Sequence, residues 1–113
     1  MGRIEEVYII GSGNLALSCA SYIKKEGVPV SFYDTSETFS GLLERRAKKE
    51  NIPYFRERAK DIFSKLQEVE KRILLVSAIN EYLVPIKVLE KENITAVNLH
   101  QALLPEHPGR NAE

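Results

Sequence analysis

"EVYIIGSGNLALSCA", Glu6 to Ala20, decides the architecture of this chain. Its first five residues form a short apolar, β-branched run stopped by Gly11, the pattern of a buried strand. Beyond the glycines at 11 and 13, Leu15, Cys19 and Ile23 recur at every fourth position, with Ala16 and Ala20 beside them. That is one apolar stripe of a helix, ended by Gly27 and Pro29. A strand, a glycine turn and a helix make the first half of a β-α-β unit, and the remaining sequence repeats the alternation.

"PVSFYD" (29–34) reads as a second strand, and "SGLLERRAKKEN" (40–51) as a charged surface helix. "IPYF" (52–55) is a short third strand, which Pro53 confines to an edge. Ala59, Ile62, Phe63, Leu66 and Val69 mark an amphipathic helix. "RILLVS" (72–77) is apolar throughout, as the central strands of parallel sheets are. "VPIKVLEKEN" (84–93) reads as a short helix with Pro85 in its first turn, and "TAVNL" (95–99) as a fifth strand. Strands alternating with helices specify a parallel α/β sheet, and the economical topology is a doubly wound, Rossmann-like single domain over residues 1–113 with strand order 3-2-1-4-5. Ligands of such sheets bind beyond the carboxyl ends of the strands, near the switch between strands 1 and 4.

Composition narrows the functional classes. Sixteen basic and sixteen acidic residues give zero net charge, without the basic excess of a nucleic-acid platform. No apolar run approaches the roughly 20 residues that cross a bilayer, and "MGRIEEVYII" carries acids where a signal peptide carries bases, so a cytoplasmic protein is expected. One cysteine and two histidines supply neither a disulfide framework nor a metal cluster. Cys19, on the first helix's apolar stripe, is expected as a core thiol, and Tyr33 and Tyr54 as core aromatics. His107 sits in a polar loop.

Two segments at the expected ligand edge carry chemistry. "GSGNLA" (11–16) has the form GxGxxA at a strand-to-helix turn, where backbone N–H groups can face an anion. With Asp34 ending strand 2, it admits a nicotinamide- or flavin-dinucleotide site; it equally admits glycines that serve only the turn and an aspartate that caps "DTSE". Asn98 and His100 flank Leu99 and, by strand alternation, point to one side. An amide donor beside an imidazole suits acyl transfer to an amine, the amide meeting the developing oxyanion and the imidazole carrying a proton. The bland alternative is an asparagine closing a strand and a solvated histidine.

"NLHQALLPEHPGRN" (98–111) resembles the Asn-x-His-Pro-Ser-Leu-Leu-Pro signature of the folate-dependent formyltransferases, through Asn98, His100, Leu103, Leu104, Pro105 and Gly109. The family includes glycinamide ribonucleotide, methionyl-tRNA, sugar and peptide-synthetase formyltransferases. The resemblance implies transfer of a formyl group from 10-formyltetrahydrofolate to a primary amine, either a small molecule or one bound to a carrier. Asn98 and His100 would be catalytic, joined by an aspartate expected beyond residue 113, so the chain would be an N-terminal fragment inactive alone. "LLVSAINEYLVP" (74–85) resembles the family segment after strand 4, which implies that Asn80, Glu81, Tyr82, Leu83 and Val84 line the pterin pocket with Leu103, Leu104 and Pro105. Gly11, Ser12, Gly13 and Asn14 resemble the loop that holds the acceptor's phosphate in the glycinamide ribonucleotide enzyme. Three departures stand out. Gln101 and Ala102 replace Pro-Ser, and Glu81 occupies a position where the family commonly has glycine. A carboxylate there can bond the pterin amino group or obstruct it, which keeps a non-catalytic, formyltransferase-like binding domain among the alternatives.

Overall fold

The computed structural model describes residues 3–36, 41–78 and 84–98. Among the described residues, five strands and four helices alternate: β1 (Glu6–Gly11), α1 (Gly13–Lys25), β2 (Val30–Asp34), α2 (Gly41–Lys49), β3 (Tyr54–Arg56), α3 (Ala59–Leu66), β4 (Ile73–Ser77), α4 (Ile86–Leu89) and β5 (Ile94–Asn98). Every pairing is parallel and the order is β3-β2-β1-β4-β5, the doubly wound sheet that the alternation specified.

Strand alternation divides the core between the two faces. Val7, Ile9 and Phe32 pack on one face against Ala16, Leu17 and Ala20 of α1 and Ala47 of α2. Ile10, Leu75 and Ile94 pack on the other against Ile62 and Leu66 of α3 and Val88 of α4. Phe32 and Leu17 are wholly buried, and each such side chain contributes about 1.5–3 kcal/mol.

Local chemistry shifts several elements from their expected places. In α1 the buried residues are Ala16, Leu17 and Ala20, while Leu15 is 48% exposed. The two small alanines face the sheet, so Leu17 rather than Leu15 fills the interface. Cys19 is half-buried against the same core, and burial raises its thiol pKa. At β3, Asn51 ends α2 in the left-handed region (φ 59°) and Ile52 drops into the core. The Phe32 N–H donates to Pro53 O at 2.9 Å, so pairing begins there and the strand runs from Tyr54 to Arg56 at the sheet edge. Pro85 has extended backbone (φ −64°, ψ 148°) and caps α4 instead of lying in its first turn. That helix is a single turn. Asn93 ties its exit to the segment before β4, its amide donating to Val69 O at 2.9 Å and Lys71 O at 2.8 Å.

From β1 the chain winds outward through β2 and β3; from β4 it winds the opposite way to β5. The switch therefore lies between the ends of β1 and β4, where Gly11 and Ser77 close their strands. Asp34, Arg56 and Asn98 end the others along the same edge.

Candidate functional site

Gly11 is needed because the chain leaving β4 crosses it. A Cβ at this position would lie 2.6 Å from the Ala78 Cβ. One backbone bond holds the crossing, Ala78 N–H donating to Ile10 O at 2.7 Å, and on the β2 side Thr35 N–H donates to Gly11 O at 2.9 Å. Gly13 is needed for a different reason. Nothing lies within 4 Å of a Cβ there, but its φ of +87° belongs to the left-handed region that glycine tolerates. Ser12 is the extended N-cap of α1, and its side chain makes no capping bond. Ser12, Gly13 and Asn14 are exposed at the ligand edge, where the first-turn N–H groups of a helix lack an intrahelical partner. The Asn14 side chain is held by α2: its Oδ1 accepts from Arg46 Nη1 at 3.2 Å, while Arg46 also donates to Ser18 Oγ at 3.1 Å and Glu50 at 3.0 Å.

Asp34 is 1% exposed and its carboxylate is already engaged. Oδ1 accepts from Ser36 N–H at 3.0 Å and from Ser36 Oγ at 2.6 Å, the turn-capping arrangement that "DTSE" allowed. Oδ2 accepts from the Tyr54 hydroxyl, and Arg56 Nη1 stands 3.9 Å away. Burial first, and then the bond to Asp34, push the Tyr54 hydroxyl pKa above the ordinary tyrosine range. Tyr33, 8% exposed, is raised in the same direction by burial and by its neighbour Tyr8. A groove of about 550 Å³ opens beside Asp34, lined also by Arg56, Glu57, Arg58 and Asp61. Its charges pair with one another and with α3: Arg58 with Asp61 at 3.3 Å, Lys65 with Glu57 at 2.5 Å, and Arg56 with Ser36 O at 3.1 Å.

The other end of the edge has a different character. Asn98 closes β5 directly beside Ser77, its register partner on β4. The two line a groove of about 310 Å³ whose remaining walls are Val84, Leu89, Ala96 and Val97. Of the residues that the resemblance implied for a pterin pocket, Val84 is among the described residues; it lines this groove and is 7% exposed. Asn80, Glu81, Tyr82, Leu83, Leu103, Leu104 and Pro105 lie outside the described residues, as do His100, Gln101 and Ala102. The structure thus brings Asn98 and Val84 together. The glycine turn sits two strands away, about 10 Å across the sheet. Ser77 was missed in the sequence. Its signal was a hydroxyl closing an otherwise apolar strand, "ILLVS".

Among the described residues no group of three or more His, Cys, Asp or Glu could hold a metal ion, and no helix is long and apolar enough to cross a membrane. Comparison with protein-family models, curated proteins and solved structures finds no match.

Proposed function

We propose that the groove at the end of β5 is the formyl-transfer site of a folate-dependent formyltransferase whose acceptor is a primary amine. The observation that carries this reading is the placing of Asn98: a carboxamide at the ligand edge of a doubly wound sheet, in a groove otherwise walled by Ser77 and the apolar Val84, Leu89, Ala96 and Val97. Flat heteroaromatic ligands favour such sites, apolar walls with a few convergent polar groups. The donor, 10-formyltetrahydrofolate, supplies an activated formyl carbonyl. Val84, with Asn80 to Leu83 and Leu103 to Pro105, holds its pterin. Asn98 directs an amide N–H at the carbonyl oxygen, where negative charge develops as the amine attacks. His100, two residues on, carries the proton that the amine gives up to N10 of the donor as the formyl C–N10 bond breaks and tetrahydrofolate leaves. The N–H groups of Gly11 to Asn14 receive an anionic group of the acceptor.

The state of Asp34 tells against the nicotinamide alternative. A ribose-binding acid must turn its carboxylate to the ligand, whereas that of Asp34 is 1% exposed, with Oδ1 accepting twice from Ser36 and Oδ2 accepting from Tyr54. The glycine turn fits either reading. A cytoplasmic place in one-carbon metabolism accompanies the formyl-transfer proposal. Activity tests it: in a full-length protein that includes the expected aspartate, with 10-formyltetrahydrofolate and a panel of primary amines, Asn98→Ala lowers turnover about 10²–10³-fold with little change in folding. Unchanged turnover in that variant would remove Asn98 from the mechanism.

A further inference from the structure

We infer that the groove between the last turns of α1 and α2 is a docking surface for an acidic peptide segment of a partner protein. The inference stands apart from the formyl-transfer reading. Both helices pack on one face of the sheet, and each runs from its carboxyl edge back to its amino edge. Their last turns therefore lie at the edge opposite Asn98 and the glycine turn. Two contacts tie the helices together: Arg46 donates to Ser18 Oγ at 3.1 Å, and Glu50 accepts from the Ser21 hydroxyl. Charge is segregated here in a chain whose net charge is zero. Helix α1 carries Lys24 and Lys25 and no acid, and α2 carries Arg45, Arg46, Lys48 and Lys49 against Glu44 alone.

A groove of about 600 Å³ opens between the helix ends, lined by Lys24, Lys25, Arg46 and Lys49 with one carboxylate, Glu50. That carboxylate is already engaged: hydrogen bonds from Ser21 and Arg46 hold its carboxyl below the usual range. The C-terminal end of a helix carries about half a negative elementary charge, so two ends offset about one cation and Glu50 another. Lys24 and Lys49 are exposed and enter none of the ion pairs among the described residues. An excess of this sign draws in a partner that presents carboxylates. A second groove of about 450 Å³ adjoins the first, sharing Lys24 and Asn51 and adding Val28, Pro29 and Pro53. Its acid, Glu6, is paired with Lys71 at 2.7 Å. The two grooves together suit an extended segment, with acids over the lysines and an apolar side chain beside Val28 and Pro53. A single nucleic-acid strand is the competing polyanion, but the lining of neither groove includes an aromatic side chain on which a base can stack.

Fluorescence anisotropy of a labelled oligoglutamate peptide ending in leucine, titrated with the full chain, tests the inference. Saturable binding is expected at low ionic strength, weakening about tenfold at physiological salt, where the Debye length shrinks to about 8 Å. Lys24→Glu/Lys49→Glu is expected to weaken binding at least about tenfold, and Lys60→Glu/Lys87→Glu, the same change in net charge placed on α3 and α4, by less than about twofold. Circular dichroism checks that each variant folds, and Lys24→Gln/Lys49→Gln replaces the charge reversal if that pair does not. Absence of saturable binding, or equal losses in the groove and control variants, would overturn the inference. An oligothymidine strand bound as tightly as the peptide would overturn it as well, and would assign the surface to nucleic acid.

Discussion

Replacing Gly11 by alanine sets a methyl carbon 2.6 Å from the Ala78 Cβ, with the Ala78 backbone close behind, its Cα at 3.4 Å. Carbon atoms in contact sit about 3.5–4.0 Å apart, so the end of β1 and the chain leaving β4 must separate by about 1 Å. Ala78 has no flexible side-chain end to swing aside, so the movement falls on the backbone and on the 2.7 Å bond from Ala78 N–H to Ile10 O. Overpacking of this kind costs about 1–3 kcal/mol. Reduced freedom of the unfolded chain returns about 0.4–1 kcal/mol, because Gly11 lacks the positive φ that would strain an alanine. The net cost is about 1.3 kcal/mol at mid-range, and at about 4–8 °C per kcal/mol for a domain near this size Tm should fall by roughly 5–10 °C. Thermal unfolding followed by circular dichroism measures it. Adding Ala78→Gly removes the opposing methyl and should recover most of the loss. Gly13→Ala is the contrasting case: it enters open space, costs about 1–2 kcal/mol through its left-handed backbone, and should gain nothing from Ala78→Gly. A Gly11→Ala protein that melts with the wild type, or one that Ala78→Gly does not rescue, would refute the close crossing.

Tyr33 and Tyr54 keep their protons in the folded chain above the ordinary tyrosine range, whereas the unfolded chain ionises near pH 10. The unfolded state then binds fewer protons than the folded one, so stability is level below about pH 10 and falls as pH rises beyond it. Denaturant titrations across that range should show the decline, and a Tyr33→Phe/Tyr54→Phe double variant should flatten it. Asp34→Asn should cost about 1–3 kcal/mol by breaking a buried hydrogen-bond set. It should also let Tyr54 ionise at lower pH, and an unshifted tyrosine titration by near-ultraviolet absorbance would contradict the Asp34 bond.

The fold was legible because periodicity is a local signal. The run "RILLVS" could be placed at the centre of a parallel sheet from its apolar residues alone, and β4 is that strand. Pro53 marked β3 as an edge, and it is one. What periodicity missed was set by tertiary packing or backbone geometry. Leu15 and Leu17 are equally apolar, and only the close approach of Ala16 and Ala20 to the sheet decides which is buried. Pro85 suits a first turn or a cap, and its extended ψ makes it a cap. At the site, GxGxxA identified the turn without distinguishing its two glycines, one required by a neighbour and one by its own φ. Asp34 fitted a ribose ligand or a turn cap; the hydroxyl of Tyr54, twenty residues later, contributes to engaging its carboxylate. Register made Ser77 a neighbour of Asn98, and register between distant strands is a property of the folded sheet.

The most direct test of the formyl-transfer account is a calorimetric titration of the full chain with 5-formyltetrahydrofolate, a stable folate, run beside NADH and repeated on Asn98→Ala. The account predicts saturable folate binding that weakens in the variant, and no NADH binding. Binding of NADH without folate, or of neither, would contradict it.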